Sequence, residues 1–291
     1  MQQIIVNILL SFSLYLLIAK SFSIIYCTTH FFHIAHAITL TLSAYFVYMF
    51  SFQLNINMAI SVILAVICAT VIGMMFEIFL YKPLRKRKAS SLILMITSLS
   101  IYTVIQNIIS MIWSNSTKSI RFWEVSIGYD LFGSRITNVQ IVMLLVCLIL
   151  FTLSALFMNY TRIGRNIRAV SSNAELSNII GIPSDIVILW TFVIGSFLVA
   201  VVGILISFDL DIRPTMGFTW LLYGVVAMIV GGIGSNWSLA CGAFLLAAAQ
   251  HSVAYLIGSQ WIDAIAYIIL ILFLIAKPLG LSGKRLKKVE L

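Results

Sequence analysis

Charge is what this chain lacks. Only 9% of its 291 residues are Asp, Glu, Lys or Arg, where globular proteins carry about 25%. Hydrophilic stretches are short as well. The two longest, near residues 113–137 and 159–185, fall below the ~50-residue lower end for folded domains. There is no G-x-x-x-x-G-K-[ST] run, so the chain carries no phosphate-cradling loop of its own. There is no C-x-x-C pair. Cys27, Cys68, Cys147 and Cys241 are scattered through apolar segments and are expected to act as small buried hydrophobes. The opening MQQIIVNILLSFSLYLLIA lacks a basic n-region and a small-residue cleavage site. It is therefore expected to be a retained first helix, not a removed signal.

What is present is apolar. Hydrophobic residues make up 62% of the chain and its mean hydropathy is +1.10. A spanning helix takes about 20 apolar residues, so the inventory fills roughly nine spans. These figures exclude a soluble enzyme, a disordered chain and, despite the net charge of +9, a nucleic-acid binder. Apolar runs fall near 4–27, 34–52, 58–81, 89–112, 138–158, 186–207, 219–233, 237–257 and 260–276. The runs are continuous instead of alternating, which favours helices over a barrel. Two are weak. The run at 34–52 is entered through His30, His33 and His36, and 219–233 covers only about 22 Å of a ~30 Å core. The expected fold is an all-α polytopic membrane protein of eight or nine transmembrane helices, one transmembrane domain over residues 1–291.

Lys and Arg set direction. Lys82, Arg85, Lys86, Arg87 and Lys88, then Arg162, Arg165 and Arg168, then Lys277, Lys284, Arg285, Lys287 and Lys288 share one side if every run crosses. That side is expected to be cytoplasmic, with loop 159–185 and the basic tail 277–291 on it. Each half contains one interrupted run, HFFHIAHA and RPTMGFTW. This points to an inverted repeat with a transport path between the halves.

The loop after Arg168 reads AVSSNAELSNIIGIPSD. Ser172 and Glu175 form S-x-x-E, the capping-box spacing. Gly181 suits a left-handed C′ position, and Pro183 stops continuation. A helix over roughly 173–180 is expected, too short to stand alone in water. Leu176, Ile179 and Ile180 share a face, so the helix docks on its own membrane domain or on a cytoplasmic partner. The arginines Arg162, Arg165 and Arg168 suit lipid headgroups or an acidic partner.

Several ordered blocks resemble the membrane permease of branched-chain amino acid ABC importers, a family with urea and short-amide relatives. FFHIAHAITLTLSAY resembles its asparagine–phenylalanine–alanine–histidine–glycine block, with His36 at the histidine and Ala37 where the family has glycine. FEIFLYKPLRKR resembles a glutamate followed by R-P-L-R, with Glu77, Pro83, Leu84 and Arg85 matching. TRIGRNIRAVSSNAELSNIIGI resembles the cytoplasmic loop. Pro214, Met216 and Gly217, then Gly231, Gly232, Gly234, Ser235 and Gly242, then Pro278, Gly280, Leu281 and Gly283 follow the C-terminal pattern.

The resemblance implies a non-enzymatic permease in a prokaryotic plasma membrane, with no cofactor in this chain and ATP used by partner ATPase subunits. It implies a second permease copy or related permease and an extracytoplasmic solute-binding protein. ATPase coupling then falls on Arg162, Arg165, Arg168, Ser172, Glu175, Leu176, Ile179, Ile180 and Gly181. The path falls near His36, Lys20, Glu77, Gly231, Gly232 and Gly234, with no metal, and Lys20 and Glu77 are expected to pair. A urea or amide permease is the alternative cargo reading. An ion-coupled secondary transporter or channel is the alternative class.

Overall fold

A computed structural model describes residues 2–120, 128–131, 134–277 and 279–282. Arg121, Pro278, Gly283 and most of the basic tail, with Lys284, Arg285, Lys287 and Lys288, lie outside the described residues. The described residues are mostly helical. The helices are α1 (Gln2–Thr29), α2 (His36–Tyr48), α3 (Met58–Phe76), α4 (Lys82–Lys86), α5 (Ser91–Trp113), α6 (Asn138–Tyr160), α7 (Arg162–Ser172), α8 (Ala174–Ile179), α9 (Ser184–Asp209), α10 (Met216–Gly231), α11 (Asn236–Leu256) and α12 (Ile262–Ala276). π-helical turns extend α2 over Met49–Gln53 and α3 over Glu77–Tyr81. A short antiparallel hairpin, β1 (Tyr129–Leu131) and β2 (Ser134–Ile136), interrupts the 113–137 connection. Among the described residues, seven helical stretches have the length and composition to cross a membrane. The two weak runs correspond to the short helices α2 and α10. At 16 residues, α10 is about 24 Å long.

The helices gather into two compact units. One comprises residues 1–23, 123–155 and 222–290, the other residues 24–122 and 156–221. Each takes its long helix from the opposite half of the sequence. In the second unit α9 packs against α2 and α3, and in the first α1 meets α10, where Gly224 lies against Ile18. Both α1 and α9 lead through a six-residue break, 30–35 and 210–215, into a short helix. A duplicated long helix, break and short helix is the order that a repeat requires.

In the second unit α2 is enclosed: His36 through Tyr45 are all buried. Two of its hydroxyls turn back onto its own backbone, Thr41 to the Ala37 carbonyl at 3.1 Å and Ser43 to the Leu40 carbonyl at 2.7 Å. This is how an apolar environment tolerates them. Small residues set the helix spacing. A Cβ on Gly203 of α9 would lie 3.0 Å from the Leu40 carbonyl carbon. Gly203→Val therefore forces α9 off α2. It is expected to cost about 1–3 kcal/mol, the usual range for overpacking, read as a lower thermal midpoint of the purified protein.

The broken backbone before α2 is satisfied from outside. His30 takes a positive φ of 53° and the Ala35 amide donates to Ser98 Oγ of α5 at 2.8 Å. At the start of α10 the Gly217 amide donates to Thr41 Oγ1 at 3.2 Å. Irregular backbone at membrane depth needs such partners.

Candidate coupling surface and buried polar core

The segment after α6 forms two helices where one was expected. Thr161 Oγ1 accepts the Gly164 amide at 3.0 Å and starts α7. Gly164, Ile167 and Val170 form its buried face, and Arg162, Arg165 and Arg168 line the exposed one. Arg168 also donates to the Met158 carbonyl. Ser172 is the last residue of α7 and not a cap. The cap of α8 is Asn173, extended at φ −162° and ψ 109°, whose Oδ1 accepts the Leu176 amide at 2.9 Å. The capping box on Ser172 is thus corrected by one residue: Ser172 stays in helical register, and its neighbour makes the turn. Glu175 remains in the first turn of α8, where a carboxylate favours the positive helix end. Asn173→Ala is expected to cost α8 about 1 kcal/mol, raising amide exchange across 174–180. Ser172→Ala is expected to leave that exchange unchanged.

Gly181 ends α8 as anticipated, with φ +89°. The Ile182 amide reaches back to the Ser177 carbonyl at 2.9 Å and the Gly181 amide to Asn178 at 3.1 Å, a left-handed helix stop. The capped helix shows one polar side to its own chain. Ser177 is buried, and Asn178 Oδ1 accepts from the amide and hydroxyl of Ser184, at 2.9 and 2.8 Å. Its other side is apolar and open: Leu176 is 55% exposed, Ile179 80% and Ile180 65%.

Close to the start of α9 lies a charge cluster. Glu77, 1% exposed, takes a bidentate contact from Arg85, with one arm at 2.9 Å. Asp185 of α9 lies 3.8 Å from both Lys82 Nζ and Arg85 Nη2. This brings the basic turn after α3 to the end of the unit that carries α8. Glu77 is held by Arg85, and Lys20 Nζ, in the other unit, donates to Asn236 Oδ1 at 2.6 Å. Burial still demands a partner for each charge, but the sequence spacing did not reveal which.

Four turns of the chain meet at His33. Its Nδ1 lies 3.1 Å from Tyr81 Oη and 3.4 Å from Ser98 Oγ. Its ring lies 5.0 Å from that of Phe192 and 5.5 Å from that of His36, and all three residues are buried. His36 heads α2, inside this cluster. Tyr81, Ser98, Asn173, Asp185 and Asn236 are the residues that sequence reasoning missed as participants.

The glycines Gly231, Gly232 and Gly234 have a structural place. Gly231 ends α10, and Gly232 and Gly234 take φ of +95° and +97°. The turn at 279–282 closes on this end: the Leu281 amide donates to the Val230 carbonyl at 2.9 Å, and Ser282 to Gly231 at 3.1 Å. These bonds satisfy carbonyls that a short helix would leave bare. A Cβ on Gly232 would lie 2.9 Å from the Leu279 carbonyl oxygen, so only glycine admits the turn.

Comparison with known proteins agrees with this architecture. The chain is 28% identical over 287 residues to the high-affinity branched-chain amino acid transport system permease protein LivH of Salmonella typhimurium, covering 94% of this chain and 92% of that one. It is 27% identical over 285 residues to LivH of Escherichia coli, covering 94% and 92%. It is 28% identical over 299 residues to the corresponding permease protein BraD of Pseudomonas aeruginosa, covering 97% and 95%. Among solved structures, PsaBC from Streptococcus pneumoniae in complex with Fab aligns over 95% of this chain and 92% of that one. Its TM-score is 0.53 at 12% identity, a likeness of fold. Residues 4–274 match the family described as the permease component of branched-chain amino acid transport systems, and the chain belongs to that family.

Proposed function

We propose that this permease subunit forms the translocation path for branched-chain amino acids in an ATP-driven importer, and that α8 is the contact through which a partner ATPase drives it. The observation that carries this reading is α8 itself. A six-residue helix is far below the ~12–15 residues needed for stability alone in water. Here it is capped at both ends, tied to α9 by Asn178, and leaves three large apolar side chains open. Family membership supplies the occupant: an importer permease works with an ATPase that hydrolyses ATP, so this chain needs no cofactor of its own.

The basic turn at 82–88 and the arginines of α7 accompany α8 in one unit. Thirteen of the 18 Lys and Arg fall in the three basic segments, so the positive-inside tendency supports a cytoplasmic position for them. If all nine runs cross, five crossings precede α9, and its repeat runs opposite to that of α1. Substrate then arrives on the far side, from an extracytoplasmic binding protein, and a second permease completes the path in a prokaryotic plasma membrane. The paired breaks at 30–35 and 210–215, with His36 at one of them, are the proposed midpoint of that path.

Purification tests the reading. A stoichiometric ATPase co-purifying with the tagged permease supports it. Ion-driven uptake by the permease alone contradicts it.

A further inference from the structure

We propose that the π-helical turn Glu77–Tyr81, together with Arg85 and Asp185, is the link by which α8 moves the polar core at His33. The proposal rests on the reading of α8 as the ATPase contact. It extends that reading inward, to residues that position the path.

The chain of contacts is continuous within one unit. Asn178 of α8 holds the amide and hydroxyl of Ser184, so displacement of α8 reaches the first turn of α9. The next residue, Asp185, lies 3.8 Å from Lys82 and from Arg85. Arg85 grips buried Glu77 with both arms. Glu77 opens the π turn: the Lys82 amide donates to its carbonyl, one residue further back than in an α-helix. Tyr81 closes the turn, fully buried, with its hydroxyl on His33. Its ring lies 5.0 Å from that of Phe31 and 5.6 Å from that of Phe192. Phe192 stands seven residues beyond Asp185, on the same face of α9. Helix α9 therefore touches the π-turn segment at two levels, through charge near its start and through an aromatic contact two turns deeper.

A coupling claim requires an element with discrete states. The π turn is such an element. It carries one residue more than the α-helical turn. Relaxing it to α geometry rotates one side of the helix against the other by about 100°, the angle of a single residue. Tyr81 would then leave His33. The two ion pairs suit a contact that breaks in every cycle. At 3.8 Å, with Asp185 and Lys82 partly exposed, such pairs contribute about 0–1 kcal/mol. Glu77 is buried and Arg85 holds it with both arms, so this pair stays closed.

The test uses the full transporter, with its ATPase and binding protein, in lipid nanodiscs and proteoliposomes. Asp185→Asn is expected to keep the ATPase bound and basal ATP hydrolysis within twofold of wild type, while substrate moved per ATP falls about tenfold. Asp185→Glu is expected to restore at least half of that ratio. Tyr81→Phe keeps the ring and loses the hydroxyl. It is expected to lower uptake with no change in ATPase stoichiometry. Amide exchange in peptides covering 76–83 is expected to respond to ATP in wild type and not in Asp185→Asn. Three results overturn the proposal: unchanged transport per ATP in Asp185→Asn, parallel loss of hydrolysis and uptake with a lower thermal midpoint, or exchange at 76–83 indifferent to ATP in wild type. A wild-type permease that binds no ATPase defeats the reading of α8. A bound ATPase with Asp185→Asn fully coupled defeats only this link.

Discussion

Ile179→Asp is expected to detach the partner ATPase and abolish uptake while the membrane domain stays folded. Ile179 is the most exposed of the three apolar residues on α8, at 80%, so it contributes little to packing within its own chain. Docked into a partner, an isoleucine side chain gains about 1.5–3 kcal/mol from burial. Losing that alone weakens association roughly tenfold to a hundredfold. The aspartate adds the cost of drawing a carboxylate into an apolar contact, which is larger still unless a cation meets it. The measurement is the ATPase-to-permease ratio after affinity purification, with the thermal midpoint of the permease as control. The expected result is a ratio near zero with an unchanged midpoint. A normal ratio would mean that the open face of α8 serves another surface.

Arg85→Ala is expected to have the opposite signature, severe loss of folded protein. Glu77 is 1% exposed and both of its oxygens face Arg85. Removing one partner of a buried pair leaves an uncompensated charge, which costs about 3–5 kcal/mol. Replacing both members by apolar groups is far milder, because nothing charged remains to desolvate. Arg85→Met combined with Glu77→Leu is therefore expected to recover most of the thermal midpoint lost by Arg85→Ala. Equal losses in the single and double variants would show that the pair is not what holds this turn.

The positions of the helices were readable because spans are written in long apolar runs. Every run reappears as a helix within a few residues of its expected ends, including the two short ones. The stop at Gly181 was readable because a left-handed residue is a local requirement. The cap was readable only to within one residue. Ser172 and Asn173 are both capping types, and the choice between them depends on where α7 releases the chain. The π turns left no mark in composition, since one extra residue in a helix changes neither polarity nor length detectably. They alter phase, and with it partner choice. Glu77 and Arg85 are eight residues apart, about 12 Å along a regular helix, and meet across the π turn and the short α4 that follows it. Lys20 and Asn236 are brought together by tertiary packing across 216 residues, which no local pattern encodes. The freedom of the glycines in the C-terminal block is visible in the sequence, but the closing of α10 at Gly231 and Gly232 against the 279–282 turn depends on a segment some 50 residues away.

The central claim is that this chain is the path for branched-chain amino acids in an importer powered by a separate ATPase. Uptake by proteoliposomes holding the permease pair, its ATPase and its binding protein tests it most directly, with labelled leucine, urea and glutamate compared side by side. The expected result is leucine accumulation that requires internal ATP and is lost in Ile179→Asp, with urea and glutamate near background. Leucine uptake that persists without ATP, or accumulation of urea or glutamate in place of leucine, would contradict it.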